Sequence, residues 1–180
     1  LYTLVRDSWH KLPQNAKPIW SLSRNTENPP RTTSEIGQKW TRKKPDFLWS
    51  LSDSQERDSY KAIREYTIEC KRLRTRTNRN FINEYVANGI VRFLTTEHKY
   101  GNGTVSGAMI GYIQNMEHSE ALEQVNAVIL KAKEFVIPEI KFKTNCQMTH
   151  RIKKGNHTLS RKDVKPSIFD LRHVWMELTN

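Results

Sequence analysis

Asp46, Glu69 and Lys71 are the residues of this 180-residue chain whose types and spacing suit a shared chemistry. Glu69 and Lys71 stand two apart in the run "REYTIECKRL", which sets Tyr66, Ile68 and Cys70 against Thr67, Glu69 and Lys71. Alternation of this kind predicts a strand, where residues two apart share a face and lie about 6.6 Å apart. An acid and an ammonium so placed can serve one small reaction centre, with Ile68 and Cys70 anchoring the opposite face in the core. Asp46 follows Pro45 and opens a second alternating run, "FLWSL". Here Asp46, Leu48 and Ser50 share one face and Phe47, Trp49 and Leu51 form a strongly apolar other. Antiparallel pairing of the two strands brings Asp46 towards Glu69. Carboxylates that close repel, and a divalent cation is the usual remedy. The lysine beside them then faces phosphate rather than water.

The tripeptide alone is weak. An acid two residues before a lysine occurs at Glu69-Lys71, Glu97-Lys99, Glu139-Lys141 and Asp163-Lys165, where composition gives roughly two by chance. Only the first falls inside a convincing strand. Its bland reading is a same-face ion pair worth about 0.2–1 kcal/mol. A purely structural pair needs no basic surround, yet Lys39, Arg42, Lys43 and Lys44 precede the first strand and Arg72, Arg74, Arg76 and Arg79 follow the second. Cys70 is not expected as a nucleophile, since it faces the core side of its strand with no histidine nearby. His150, Asn156 and His157 in "HRIKKGNH" lack the hairpin-and-helix setting of a His-Asn-His nuclease; phosphate contact, or none, is the reading there.

The elements that must position these residues alternate in type. Leu1, Leu4, Val5, Trp9 and Leu12 predict a helix over 1–12, and Pro13, Pro18, Pro29 and Pro30 mark a loop over 13–38 with one short element. A polar connection, "SDSQERDSYKAI", joins the two motif strands. Ile82, Tyr85, Val86, Gly89, Ile90 and Phe93 make a helical stripe over 81–95, in which Gly89 implies close approach to a sheet. "VSGAMIGYI" reads as a strand buried on both faces. A helix over 120–136, capped by Ser119 and stopped at Pro138, follows. Then come a strand near "IKFKTNCQM", a basic loop and a final apolar segment containing a packed His173. Trp40, Trp49, Phe81 and Phe93 are read as core. Strands interleaved with helices define an α/β class, with a mixed sheet and helices on both sides, in one domain spanning 1–180.

Composition narrows the partners. Thirty Lys and Arg against nineteen Asp and Glu give a net charge of +11, which draws polyanions, nucleic acid foremost. Cys70 and Cys146 are too few for a disulfide framework or a four-thiolate zinc site, so a reducing cytoplasm is expected. No run is long and apolar enough for a membrane span.

Asp46, then 22 residues, then Glu69-Cys70-Lys71 resembles the PD-(D/E)XK nuclease superfamily, on "PDF" at 45–47 and "IECKRL" at 68–73. The resemblance covers about 40–115 and implies a restriction-endonuclease-like core. It implies that Asp46, Glu69 and the main-chain carbonyl of Cys70 ligate Mg2+, with Mn2+ able to substitute. Lys71 would orient or activate the attacking water. An additional acid from a preceding helix would be Glu35 or Glu27. By the same resemblance the substrate is nucleic acid, double-stranded DNA before RNA, contacted by Lys43, Lys44, Arg72, Arg74, Arg76 and Arg79. A prokaryotic or phage source, a role in restriction, phage defence, repair or mobile elements, and a homodimer or association with other domains or subunits are implied as well. The competing reading is a basic nucleic-acid-binding module without catalysis, built on a nuclease-like scaffold.

Overall fold

The structure is a computed structural model that describes residues 19–24, 34, 37–52, 63–75, 80–142 and 151–178; at 19–24, 40–41, 51–52 and 63–64 it describes the backbone alone. The expected helix over 1–12, Glu27, Glu35, Arg76, Arg79, His150, and the side chain of Trp40 lie outside the described residues. Seven strands form one mixed sheet: β1 (Ile19–Arg24), β2 (Phe47–Ser52), β3 (Ile63–Arg74), β4 (Ser106–Gln114), β5 (Lys141–Phe142), β6 (Ile152–Ser160) and β7 (Ile168–Glu177). Their order is β1-β2-β3-β4-β7-β6-β5. β2 pairs antiparallel with both β1 and β3, while β3, β4 and β7 run parallel at the centre. β6 returns antiparallel to β7.

Among the described residues two helices cross the sheet, α1 (Phe81–Ala87) and α2 (His118–Lys131). The parallel step from β3 to β4 requires a crossover, and α1 with the 3₁₀ turn Ile90–Phe93 supplies it. Both helices bury residues in one cluster: Ile82, Tyr85 and Val86 from α1 and Ala121, Val125 and Ile129 from α2 meet Leu73, Met109, Leu159, Phe169 and Trp175 of the sheet. Full burial of such side chains is worth about 1.5–3 kcal/mol each. Of the helices expected on both sides, the two described ones share one face, and the helix expected over 1–12 lies outside the described residues. The other face carries a small cluster, Ile68, Ala108 and Ile110, edged by Phe47, Tyr66, Cys70, Tyr112 and Met176.

That asymmetry reverses one expectation. Among the described side chains of β2, Leu48, on the Asp46 face, is buried, while Phe47 and Trp49 are half-buried, because the helices cover Leu48's side. For the same reason Ile68 and Cys70 anchor the small cluster, and Glu69 points towards the large one.

The stripe over 81–95 breaks in two at Gly89. A Cβ there would stand 2.2 Å from the Tyr85 carbonyl oxygen and 2.4 Å from Met109 Cε, so the close approach to the sheet is real. α2 spans 118–131 rather than 120–136, and Glu117, not Ser119, precedes it. Asn126 explains the early end. Its side-chain amide donates to Ile140 O (3.1 Å) and accepts from Ile140 N (2.9 Å), folding residues 132–140 back along the helix. The expected basic loop is in part β6, where Gly155, His157 and Leu159 point inward and Lys154, Asn156 and Thr158 outward. The final apolar segment is β7.

Candidate active site

Asp46 immediately precedes β2. Continuing the register Phe47↔Ile68 by one residue sets Asp46 opposite Glu69 on the helix-covered face. Asp46 Oδ2 accepts a hydrogen bond from the Cys70 main-chain N–H at 2.7 Å, which ties the carboxylate to β3 at the motif itself. Of the four acid–x–lysine tripeptides, only Glu69-Cys70-Lys71 lies within a strand; Glu97-Lys99 is in a turn, Asp163-Lys165 in bends, and Glu139-Lys141 at the loop entering β5.

Glu69 is 1% exposed. Its Oε1 accepts from Lys71 Nζ and from Arg92 Nη1, the latter at 2.8 Å. Its Oε2 is buried with no hydrogen-bond partner among the described residues. Burial raises the Glu69 carboxyl above its ordinary range; Lys71 pulls it down, Asp46 pushes it further up and Arg92 opposes the rise. Lys71 Nζ also donates to the Cys70 carbonyl at 3.2 Å, so the main-chain ligand of the sequence reading is shared with the lysine. The Cys70 thiol is pushed up to about 12 by burial, with Asp46 adding to the rise, which keeps it protonated and unreactive.

Arg92 was not legible as a site residue. It belongs to the 3₁₀ turn after Gly89, from which it reaches Glu69 on β3. Its guanidinium lies 5.9 Å from the centre of the Tyr100 ring, and Tyr100 N donates to the Arg92 carbonyl at 3.3 Å.

A cleft of about 700 Å³ adjoins the cluster. Lys71, Arg72 and Arg92 line it with Phe81 and Tyr112, and Glu84 is the acid among its walls. Lys71 and Arg92 are thus at once the cations bound to Glu69 and part of the cleft wall. Of the expected nucleic-acid contacts, Arg72 and Arg74 stack over Phe81 at 5.5 and 5.7 Å, Lys43 pairs with Glu97 at 3.0 Å, and Lys44 is exposed. Phe81 and Phe93 are core, as expected, at 4% and 0% exposed.

A separate polar chain is buried on the same face. Trp175 Nε1 donates to Tyr85 OH (2.8 Å), which meets His173 Nδ1 (2.7 Å); His173 Nε2 meets His157 Nε2 (3.5 Å), and His157 Nδ1 meets the Pro138 carbonyl (3.0 Å). A carbonyl only accepts, so His157 carries its proton on Nδ1 and every other bond orients in sequence with both rings neutral. Burial agrees: it pushes His157 down to about 4 and His173 well below its ordinary value. Asn156 points to the opposite face from His157, so these two do not converge as a His-Asn-His group would require.

The magnesium ion implied by the resemblance can be tested against these residues. No three of His, Cys, Asp and Glu converge among the described residues. Magnesium commonly takes one or two carboxylates and keeps several waters. Asp46, just before β2, and Glu69 of β3 supply two, and Glu69 Oε2 is a buried carboxyl oxygen without a donor among the described residues. They fit. Among the described residues, no helix is long and apolar enough to cross a membrane.

These features define a mixed α/β sheet with a two-carboxylate, two-cation cluster on its helix-covered face. No protein-family model, curated protein or solved structure matches the chain.

Proposed function

We propose that the protein is a metal-dependent nuclease of the PD-(D/E)XK type, hydrolysing phosphodiester bonds in nucleic acid, DNA before RNA. The observation that carries this reading is Glu69 Oε2, a buried carboxylate oxygen lacking a donor among the described residues and lying beside a second carboxylate. Leaving an anionic oxygen unpartnered in the interior is costly unless something else binds it. Asp46 and Glu69 would hold Mg2+, which supplies Lewis acidity and a water of lowered pKa.

The chain's own residues do the rest. The Cys70 N–H holds Asp46 Oδ2 against β3 at the motif itself, which leaves its second oxygen for the metal. Lys71 lines the cleft and places a positive charge where a phosphate would enter, offsetting the charge that develops on it. Arg72 offers a further cation on that wall, and the net charge of +11 supports attraction of the polyanion as a whole.

The decisive experiment incubates plasmid DNA and RNA with wild type, Asp46→Ala and Lys71→Ala, with Mg2+ or Mn2+ and with EDTA. Cleavage should need the metal and be lost in both variants while binding persists. Salt-dependent binding indifferent to metal and to Asp46→Ala, without cleavage by wild type, would replace the enzyme with a binding module.

A further inference from the structure

Glu69 is held asymmetrically. Among the described residues, one of its oxygens takes two cationic donors and the other takes none. Lys71 comes from the same strand on a flexible stem, whereas Arg92 comes from a different element whose backbone is pinned from several directions. Arg92 N donates to Gly89 O (3.1 Å), and Arg92 O accepts from Tyr100 N (3.3 Å). The next carbonyl, that of Phe93, accepts from the buried Arg161 guanidinium at 3.5 Å, which also bonds Tyr100 O at 3.2 Å. The planar Arg92 guanidinium stands near the Tyr100 ring. With its backbone fixed and its guanidinium held between Glu69 Oε1 and the Tyr100 ring, Arg92 can set the rotation of the carboxylate it binds.

We infer that Arg92 is a positioning residue for metal binding: by engaging Glu69 Oε1 it fixes the carboxylate so that Oε2 is presented to the divalent cation beside Asp46. This rests on the nuclease reading and extends it to a residue outside the motif. The rival account makes Arg92 a counter-charge that merely neutralises a buried acid. The two differ in sign. A counter-charge beside a cation site repels the incoming ion, so its removal tightens metal binding. A positioning residue does the reverse, because its removal releases the ligand.

The test titrates wild type, Asp46→Ala, Arg92→Met and Arg92→Lys with Mn2+, reading free ion by electron paramagnetic resonance and melting temperature in parallel. Wild type should bind and Asp46→Ala should not. Arg92→Met should bind about 10- to 100-fold more weakly, the usual cost of losing a residue that orients a metal ligand. Arg92→Lys, which keeps the charge and loses the fork, should recover part of the loss. Arg92→Met affinity equal to or tighter than wild type overturns the inference and leaves the nuclease reading standing, whatever happens to the melting temperature. Should Arg92→Met fail to fold, Arg92→Lys decides alone: affinity below wild type supports positioning, unchanged affinity overturns it. Wild type that takes up no Mn2+ overturns both.

Discussion

Two buried polar groups sit on the same face of one sheet and are built by opposite rules. In the chain from Trp175 through Tyr85, His173 and His157 to Pro138, every hydrogen-bonding direction is used, all members are neutral, and the order of donors is forced by the terminal carbonyl. Around Glu69 the charges are formal, two cations crowd one oxygen, and its twin has no donor among the described residues. A group whose bonding is complete specifies packing and has nothing left to offer a ligand. A group left incomplete at the same depth carries an energetic debt that a bound cation would relieve.

The sharpest way to break this contrast is to remove members of each group. Asp46→Ala or Lys71→Ala is expected to lower metal-dependent cleavage per folded molecule by about 100-fold or more. His157→Leu or Tyr85→Phe should lower stability and leave cleavage per folded molecule intact. An assay of nicked plasmid against time, beside thermal melts, separates the two outcomes.

Acid should act on the two groups with opposite sign. The His157 folded pKa of about 4 lies below the unfolded value of about 6.5. Between those values the unfolded chain binds the proton and the native one does not, so stability falls as pH falls through that window, by on the order of 3 kcal/mol. Glu69 has a raised folded pKa, so between its unfolded value and that raised value the native state holds the extra proton. Its contribution is present at low pH and is lost as pH rises. Denaturant melts from pH 4 to 7 should show the first slope reduced in His157→Leu and the second absent in Glu69→Gln.

Tyr85→Phe is expected to cost about 1–3 kcal/mol, because it strands Trp175 Nε1 and His173 Nδ1 together. Lys43→Ala is the smallest change. Its partner Glu97 is exposed, so the melting temperature should hold, while a phosphate contact there would show as a salt slope reduced by about one. Fluorescence anisotropy across a salt series measures it.

Much of the site could be read from period-two alternation. The faces of β2 and β3, and the meeting of Asp46 with Glu69, follow from which residues share parity with Lys71 and Leu48. Which face carries the large core could not be read, since Phe47 and Trp49 are bulkier than Leu48 and the decision belongs to helices some 35–70 residues further on. β6 was hidden because Lys153, Lys154, Gly155 and Asn156 suggest a loop, and only Gly155, His157 and Leu159 carry the inward rhythm. Arg92 was hidden for another reason: its partner Glu69 is 23 residues away on a different element, and no local spacing links the two.

Arg161 gives the fold a dependency that a motif map does not show. Its guanidinium, 1% exposed and lying 4.1 Å from the centre of the Phe169 ring, grips the carbonyls of Phe93, Tyr100, Gly101 and Pro166. The stretch carrying Arg92 is thereby bolted to the far hairpin, and β7 shields the flank of β4. Residues 40–115 are therefore not a transplantable cassette: excised or grafted elsewhere, they would leave behind the vise that sets their geometry.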